Sequence, residues 1–296
     1  MKTRSLFIGM LLLLVLMGAC NSGSVMTQAT GFAYEVVVVM DQKDWKGPAG
    51  EAIKSELASS VPGLPQAEPS LKITYVQPKD FTGLLRYVRN ILVVTIDPTA
   101  YTKVSVGYEN NVWARGQVVV SLKAPNTESI VEYSKTHEKA LVNFFVKVEM
   151  NRAIEQLQKE YSMVVMDNLK SDLNVMLNAP ANFTYYKDTT DFFWSSNNAN
   201  TGRMDLIVYT FPYTDPNTFT EEYLVAKRDS VLKANLPGSF PGSYMQTETR
   251  AGVEYAPETD KRNFMRRIEA ALFTLRLPGE FDEPVTETLD IPKEKK

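Results

Sequence analysis

The sequence predicts an α/β or α+β protein, with mixed sheets packed by helices and two halves related by a faint repeat. Three observations predict it. Tyr34-Glu35-Val36-Val37-Val38-Val39-Met40 is an unbroken apolar run rich in β-branched residues, as expected of a strand buried on both faces beneath helices. Apolar residues recur at helical spacing in several later stretches, Ile130 to Val148 and Phe264 to Leu275 among them. The order strand, polar loop, helix, Pro-Gly turn occurs from Val36 to Gly63 and again from Leu206 to Gly238.

After the first strand, Asp44 to about Val61 is expected as a helix. Pro48 suits its first turn, and Ala52, Ile53 and Leu57 make its apolar face. Pro62-Gly63-Leu64-Pro65 ends it. Leu71 to Val76 follows as a strand, Asp80 to Arg89 as a short helix with Phe81, Leu84, Leu85 and Val88 inward, and Ile91 to Ile96 as a second apolar strand. Val104 to Tyr108 and Val112 to Leu122 read as an antiparallel pair joined at Glu109-Asn110-Asn111. Asn126 is placed to cap the longest helix, which is expected to reach about Tyr161 with Ile130, Tyr133, His137, Leu141, Phe144 and Val148 inward. A second helix over Ser162 to Leu177 follows, and Pro180 closes the half.

The second half opens on a hairpin signal: Phe192-Phe193-Trp194, the turn-rich Asn197 to Gly202, then Met204 to Phe211. Thr218-Phe219-Thr220-Glu221 matches a capping box opening a helix to about Ala234. The last helix is expected from Thr259-Asp260 to about Leu275. The organisation is therefore a leader over 1–19, a tether over 20–32, halves over 33–180 and 181–277, and a tail over 278–296 that is acidic, Pro-containing and then Lys-rich.

Composition sets the exclusions. The chain has 296 residues, a formal net charge of -3, one Cys and one His. Near-neutral charge argues against nucleic acid as an electrostatic partner. One Cys leaves no intrachain disulfide framework and no multi-Cys zinc site, and one His leaves no histidine-rich metal centre. No cofactor fingerprint, nucleophile elbow or phosphate-binding glycine loop is present.

The position of the single Cys carries the most information. Lys2 and Arg4 precede an apolar run from Leu6 to Met17. At 1.5 Å per residue that run covers about 18 Å, too short for a bilayer of ~30 Å, so it reads as the core of a secretory signal peptide. Met17-Gly18-Ala19-Cys20 then resembles a bacterial lipobox, which implies lipidation of Cys20 and membrane attachment through that lipid. Asn21 follows Cys20 in place of the Asp that resembles an inner-membrane retention signal, and the early acidic cluster of surface-exported lipoproteins is missing. The expected address is the cell envelope, on the periplasmic face of the outer membrane.

Together with the lipobox, several segments are similar to one family. These are Tyr34 to Asp41, Trp45-Lys46-Gly47-Pro48, Val61 to Pro65, Glu149-Met150-Asn151-Arg152 and Ala256-Pro257-Glu258-Thr259-Asp260-Lys261-Arg262-Asn263. The chain resembles an uncharacterised envelope lipoprotein family of Bacteroidetes-type bacteria, known only as a domain of unknown function. The resemblance implies no activity and assigns no catalytic residue. One departure is that only Thr247 to Glu254 precedes Tyr255, where the family has a longer strand-rich stretch, so an incomplete or rearranged second sheet is expected.

Candidate chemistry is sparse. His137, between Tyr133 and Leu141, reads as a core-edge residue with one hydrogen bond. Asp41, Asp44, Asp97 and Asp215 stand near strand ends, where α/β folds gather ligands, but Asp also serves there to leave strands and open helices. Trp45 and Tyr213 occupy comparable loops in the two halves, which nominates them, with Asp41 and Asp215, for a binding cleft. Lys261, Arg262, Arg266 and Arg267 nominate a contact with an anionic lipid or a glycan phosphate. The expected function is a lipid-anchored periplasmic binding or assembly protein without chemistry of its own, its partner an envelope protein or glycan. A carboxylate-dependent hydrolase of envelope glycans and a structural subunit of an envelope complex are the alternatives.

Overall fold

The β-branched run folds as strand β1 (Glu35–Val39), and successive side chains point to opposite faces of its sheet. Val36, Val38 and Met40 enter one buried cluster, Val37 and Val39 another. A computed structural model describes residues 26–64, 67–247 and 261–282. Cys20 with its lipobox, the Ala256–Asp260 part of the last family motif and 283–296 of the expected tail lie outside the described residues.

The first half is a mixed five-stranded sheet in the order β2-β1-β3-β5-β4. Its remaining strands are β2 (Lys72–Val76), β3 (Asn90–Ile96), β4 (Ser105–Asn110) and β5 (Val118–Ala124). β1 pairs in parallel with β2 and β3, β3 in parallel with β5, and only the edge strand β4 runs antiparallel, against β5. A parallel pair needs a crossover. Between β1 and β2 it is helix α1 (Gln42–Trp45) followed by α2 (Pro48–Leu57), with Pro48 at the helix start. The single helix expected from Asp44 breaks at Gly47, where the chain turns. Gly50 is the only residue type that fits inside that turn, because a Cβ there would lie 2.0 Å from the Trp45 carbonyl oxygen.

Helices cover one face of this sheet. They are α2, α3 (Thr127–Thr136) and the N-terminal half of α4 (Ala140–Lys159). The other face is covered by irregular chain, not by the helices expected from the sequence. Phe81, Leu85, Val88, Val112 and Trp113 close over Val37, Val39, Ile91 and Val119. The helix expected over Asp80 to Arg89 is two 3₁₀ turns, Pro78–Asp80 and Gly83–Tyr87, and Leu84 is 82% exposed. Gly83 has φ +54, which interrupts an α-helix. The buried Gln117 then holds the segment: its amide nitrogen donates to the Arg86 carbonyl (2.6 Å) and the Val88 carbonyl (2.7 Å).

The longest helix is also interrupted. Asn126 caps α3 as expected, accepting from the Ser129 amide at 2.9 Å. The chain then leaves the helix at His137, passes Lys139 at φ +63 and restarts as α4. The restart is fixed from outside: buried Glu56 of α2 accepts from the Leu141 amide at 2.7 Å. His137 is consequently exposed at a helix end, not on an inward stripe, with its ring stacked on Tyr133 at 4.2 Å. The stripe shifts to Leu141, Val142, Phe145 and Val148.

α4 is shared between the halves. Its C-terminal residues Met150, Ile154 and Leu157 enter a separate core with helix α5 (Met163–Asp172) and the three-stranded antiparallel sheet β6 (Tyr185–Thr189), β7 (Phe192–Ser196) and β8 (Asp205–Tyr209). Strand β6, absent from the sequence expectations, pairs with β7 in a tight hairpin. Helix α6 (Glu221–Asn235) follows a 3₁₀ turn, Pro216–Phe219. Its cap is Thr220, not Thr218, which is buried. Helix α7 (Lys261–Leu272) packs Phe264, Ile268, Ala270 and Ala271 into the same core, and Leu272 and Leu275 remain exposed. The fold is thus α+β in two halves. The halves share the strand–loop–helix order, and among the described residues β8 has no parallel neighbour; residues 248–254, on which the expected shortening of the second sheet falls, lie outside the described residues.

Candidate functional site

Arg89 and Asn90 enter β3 at the end of the sheet nearest α4. There Asn90 is buried, and its side-chain amide donates to the Glu35 carbonyl at 2.9 Å and to Glu149 at 2.7 Å. Glu149 lies on α4 and is 2% exposed. One helical turn on, Arg152 meets its carboxylate at 2.6 Å, and Arg89 pairs with the other oxygen at 2.9 Å. Arg152 also donates to the Arg89 carbonyl (3.1 Å) and the Gly116 carbonyl (2.7 Å). Burial pulls the Arg152 guanidinium below its ordinary value, and the adjacent Glu149 charge opposes this. One buried carboxylate thus balances two guanidinium groups and leaves a positive excess.

This network floors a cleft of about 610 Å3. The segment 28–34, the α4 face from Glu149 to Lys159, and Asn263, Arg266 and Arg267 of α7 form its walls. Five cationic side chains, Arg89, Arg152, Lys159, Arg266 and Arg267, line it against the two carboxylates Glu149 and Glu155. The lower wall is fixed to the first half: the Ala29 amide donates to the Arg115 carbonyl at 2.9 Å and the Thr30 amide to the Tyr87 carbonyl at 2.8 Å. Residues 27–30, expected as tether, are therefore part of the folded body.

Three buried polar atoms in this cleft have no hydrogen-bond partner: the Tyr34 hydroxyl, Arg89 Nε and Arg266 Nε. An unmet buried donor costs roughly 1–3 kcal/mol, so three at one place call for an explanation. Tyr34 is 4% exposed and holds a left-handed backbone, φ +60, at the entrance to β1. Bulky residues rarely adopt that conformation, and such outliers concentrate at functional sites. Burial pushes its phenol above the ordinary tyrosine range, with Arg266 opposing, so the hydroxyl keeps its proton and can donate. The Arg266 guanidinium lies 6.0 Å from the Tyr34 ring centre and pairs with Glu269 at 2.7 Å.

The structure divides the residues singled out in the sequence. Of the four cations on α7, Arg266 and Arg267 line the cleft. Arg262 is turned inward, 7% exposed, and its guanidinium donates to the Pro69 carbonyl at 2.8 Å. Lys261 lines a different hollow with Thr201 to Met204. Glu68 binds the amides of both Lys261 and Arg262 at 3.0 Å and so caps α7 from the first half. Trp45 is a packing residue: it stacks on Tyr75 at 4.7 Å, lies under Lys54 and packs on the core. Tyr213 is 64% exposed and stacks on Phe219, far along the chain in the second half. Asp41 is exposed at the start of α1 without a capping bond, and Asp215 accepts from the Asn217 amide at 2.6 Å to open a turn. Trp45 and Asp41 therefore follow β1, Tyr213 and Asp215 follow β8, and no described contact joins the two pairs.

Asp97 likewise serves its own turn, accepting from Thr99 and Ala100. Asp172 and Asp188 perturb each other, which raises Asp188 and lowers Asp172, and both are exposed. Among the described residues no group of three or more His, Cys, Asp or Glu could hold a metal ion, and no helix is long and apolar enough to cross a membrane. The cleft residues Tyr34, Arg89, Asn90, Arg152 and Lys159 escaped site assignment in the sequence. Tyr34 and Arg152 stood out there solely as parts of the Tyr34–Asp41 and Glu149–Arg152 family motifs.

Two family models match the chain. Residues 29–158 match Domain of unknown function (DUF8532), and residues 162–254 match Domain of unknown function (DUF4837). The first ends one residue before α4 does, and the second begins at the Ser162 cap of α5. Both halves thus match models of domains of unknown function, consistent with the uncharacterised family that the motifs resemble. No curated protein and no solved structure matches it.

Proposed function

We propose that this chain is a lipid-anchored binding or assembly protein of the bacterial envelope, without chemistry of its own, and that it takes an anionic partner in the cleft between its halves. The observation that carries the reading is the cleft itself: five cations, three unmet buried donors and a strained Tyr34 gathered from elements of both halves. The proposed anchor is Cys20 and the proposed address the periplasmic face of the outer membrane. Thr27, the first residue bonded into the folded body, stands seven positions after Cys20. That span reaches at most about 25 Å, so the anchor would keep the cleft close to the membrane surface. Among the described residues the cleft gathers cations and no metal-ligating set, which favours binding over the hydrolase alternative. The exposed aromatic pair Tyr213 and Phe219 supports the second alternative, a subunit that docks on an envelope complex.

The test is crosslinked capture from intact envelopes with the wild type, Arg267→Gln and Cys20→Ala. Cys20→Ala should move the protein from the detergent phase to the aqueous phase. Arg267→Gln should deplete the captured ligand while the melting temperature holds. A captured set that is the same for wild type and Arg267→Gln would remove the cleft from the function.

A further inference from the structure

We infer that the group bound in the cleft is a phosphoryl group, carried as a monoester or diester on a ligand with a small apolar portion. This inference rests on the binding reading above and names its ligand class. All three unpartnered buried atoms can donate, and they come from three different elements: Tyr34 before β1, Arg89 before β3 and Arg266 on α7. The ligand must therefore supply acceptors in several directions. A planar carboxylate is best matched by the two-pronged edge of one guanidinium. Here the two guanidinium groups with an unmet Nε are each already tied through one terminal nitrogen, Arg89 to Glu149 and Arg266 to Glu269, and the Tyr34 hydroxyl is a third donor from another element. Donors spread over three elements suit the separate oxygens of a tetrahedral oxyanion. Arg267, exposed at the mouth with no ion pair among the described residues, adds charge that a phosphate uses more fully than a monoanion does. Ala29, Phe32, Ala33 and Ala153 make part of the remaining wall apolar, and a cleft of about 610 Å3 is much larger than a bare phosphate. The phosphoryl group thus comes attached to something.

The experiment is calorimetric titration of the purified full chain in neutral detergent, with inorganic phosphate, phenyl phosphate, benzoate and a short-chain phosphatidylglycerol as probes. Phenyl phosphate should bind about tenfold more tightly than benzoate, a preference set by charge and oxygen number. Tyr34→Phe should weaken phenyl phosphate by about fivefold without lowering the melting temperature, because it removes a hydroxyl that has no partner in the free protein. A purely structural Tyr34 would show the opposite pattern. Arg267→Gln, on the surface, should weaken it by a similar factor. Phosphatidylglycerol tighter than phenyl phosphate assigns a lipid headgroup as the source, and the reverse order assigns a soluble phosphoester; both support the class. The inference is overturned if the phosphate probes bind no better than benzoate, or if both variants bind phenyl phosphate as the wild type does. If the probes fail while envelope capture still depends on Arg267, only the ligand class falls. If phenyl phosphate binds while capture ignores Arg267, the ligand class stands and the wider binding reading falls.

Discussion

The two halves solve the burial problem differently. The first covers both faces of a mostly parallel sheet, so β1 is a continuous apolar run and Val36 to Met40 are all nearly inaccessible. The second packs Phe193, Leu206 and Val208 of a short antiparallel sheet on α4, α5 and α7, and leaves Tyr185 and Tyr186 of its edge strand β6 exposed. Helix α6 buries only Leu232. The first half is built as a core, the second as a thinner layer leaning on a helix that the first half also owns. The consequence for function is positional. The cleft forms where the shared helix leaves the thick half and meets α7 of the thin one.

That contrast can be broken most severely at the seam. Glu149→Ala leaves the partly buried Arg89 and Arg152 without their counter-charge, and it should cost about 3 kcal/mol in chemical denaturation. A loss below 1 kcal/mol would mean that solvent already screens this network. Next in size is a matched pair of truncations. Ile53→Ala, at a fully buried site on α2, should cost about 2–5 kcal/mol, whereas Leu224→Ala on the half-exposed face of α6 should cost less than about 1 kcal/mol. Equal losses in denaturant midpoint would show that α6 is more tightly packed than its exposure indicates. The smallest effect compares helix caps. Asn126→Ala should cost about 1 kcal/mol, and Thr220→Ala less, because the Asn126 bond is 2.9 Å and the Thr220 bond 3.4 Å. Thermal melts of the two variants would sharpen the difference between the halves or erase it.

Legibility followed the same divide. β1, β3 and β5 were readable because a buried strand must be apolar along its length, whereas β4 is largely exposed and its antiparallel pairing was read with β5 beginning at Val112 and not, as found, at Val118. β6 was missed because Tyr185-Tyr186-Lys187-Asp188-Thr189 faces solvent and carries no such pattern. The break at His137 was missed for another reason. Its cause is Glu56, 85 positions away along the chain, binding the Leu141 amide. The last helix, though expected from its own sequence, also takes a distant cap: its first described amides are met by Glu68. Caps supplied by distant chain leave no local signature. Nor did most of the cleft: Arg266 and Arg267 were singled out as charges on one helix, but Arg89 and Arg152 are ordinary surface-type residues until α4 and α7 bring them together around Glu149.

The sequence by itself determined the strands that must be buried, the helix starts that carry their own caps, the exclusion of disulfide and histidine-metal chemistry, and the expectation of a lipid anchor at Cys20. These are local properties, set by side-chain type and spacing along a few turns or one leader. Only the tertiary structure decided which cations matter. It turned Arg262 into a packing residue and left Arg266 and Arg267 at a cleft, and it reduced Trp45 to the core while gathering Tyr34, Arg89 and Arg152 into a site. The physical reason is that charge acts through distance and burial, and both are fixed only when separate elements pack.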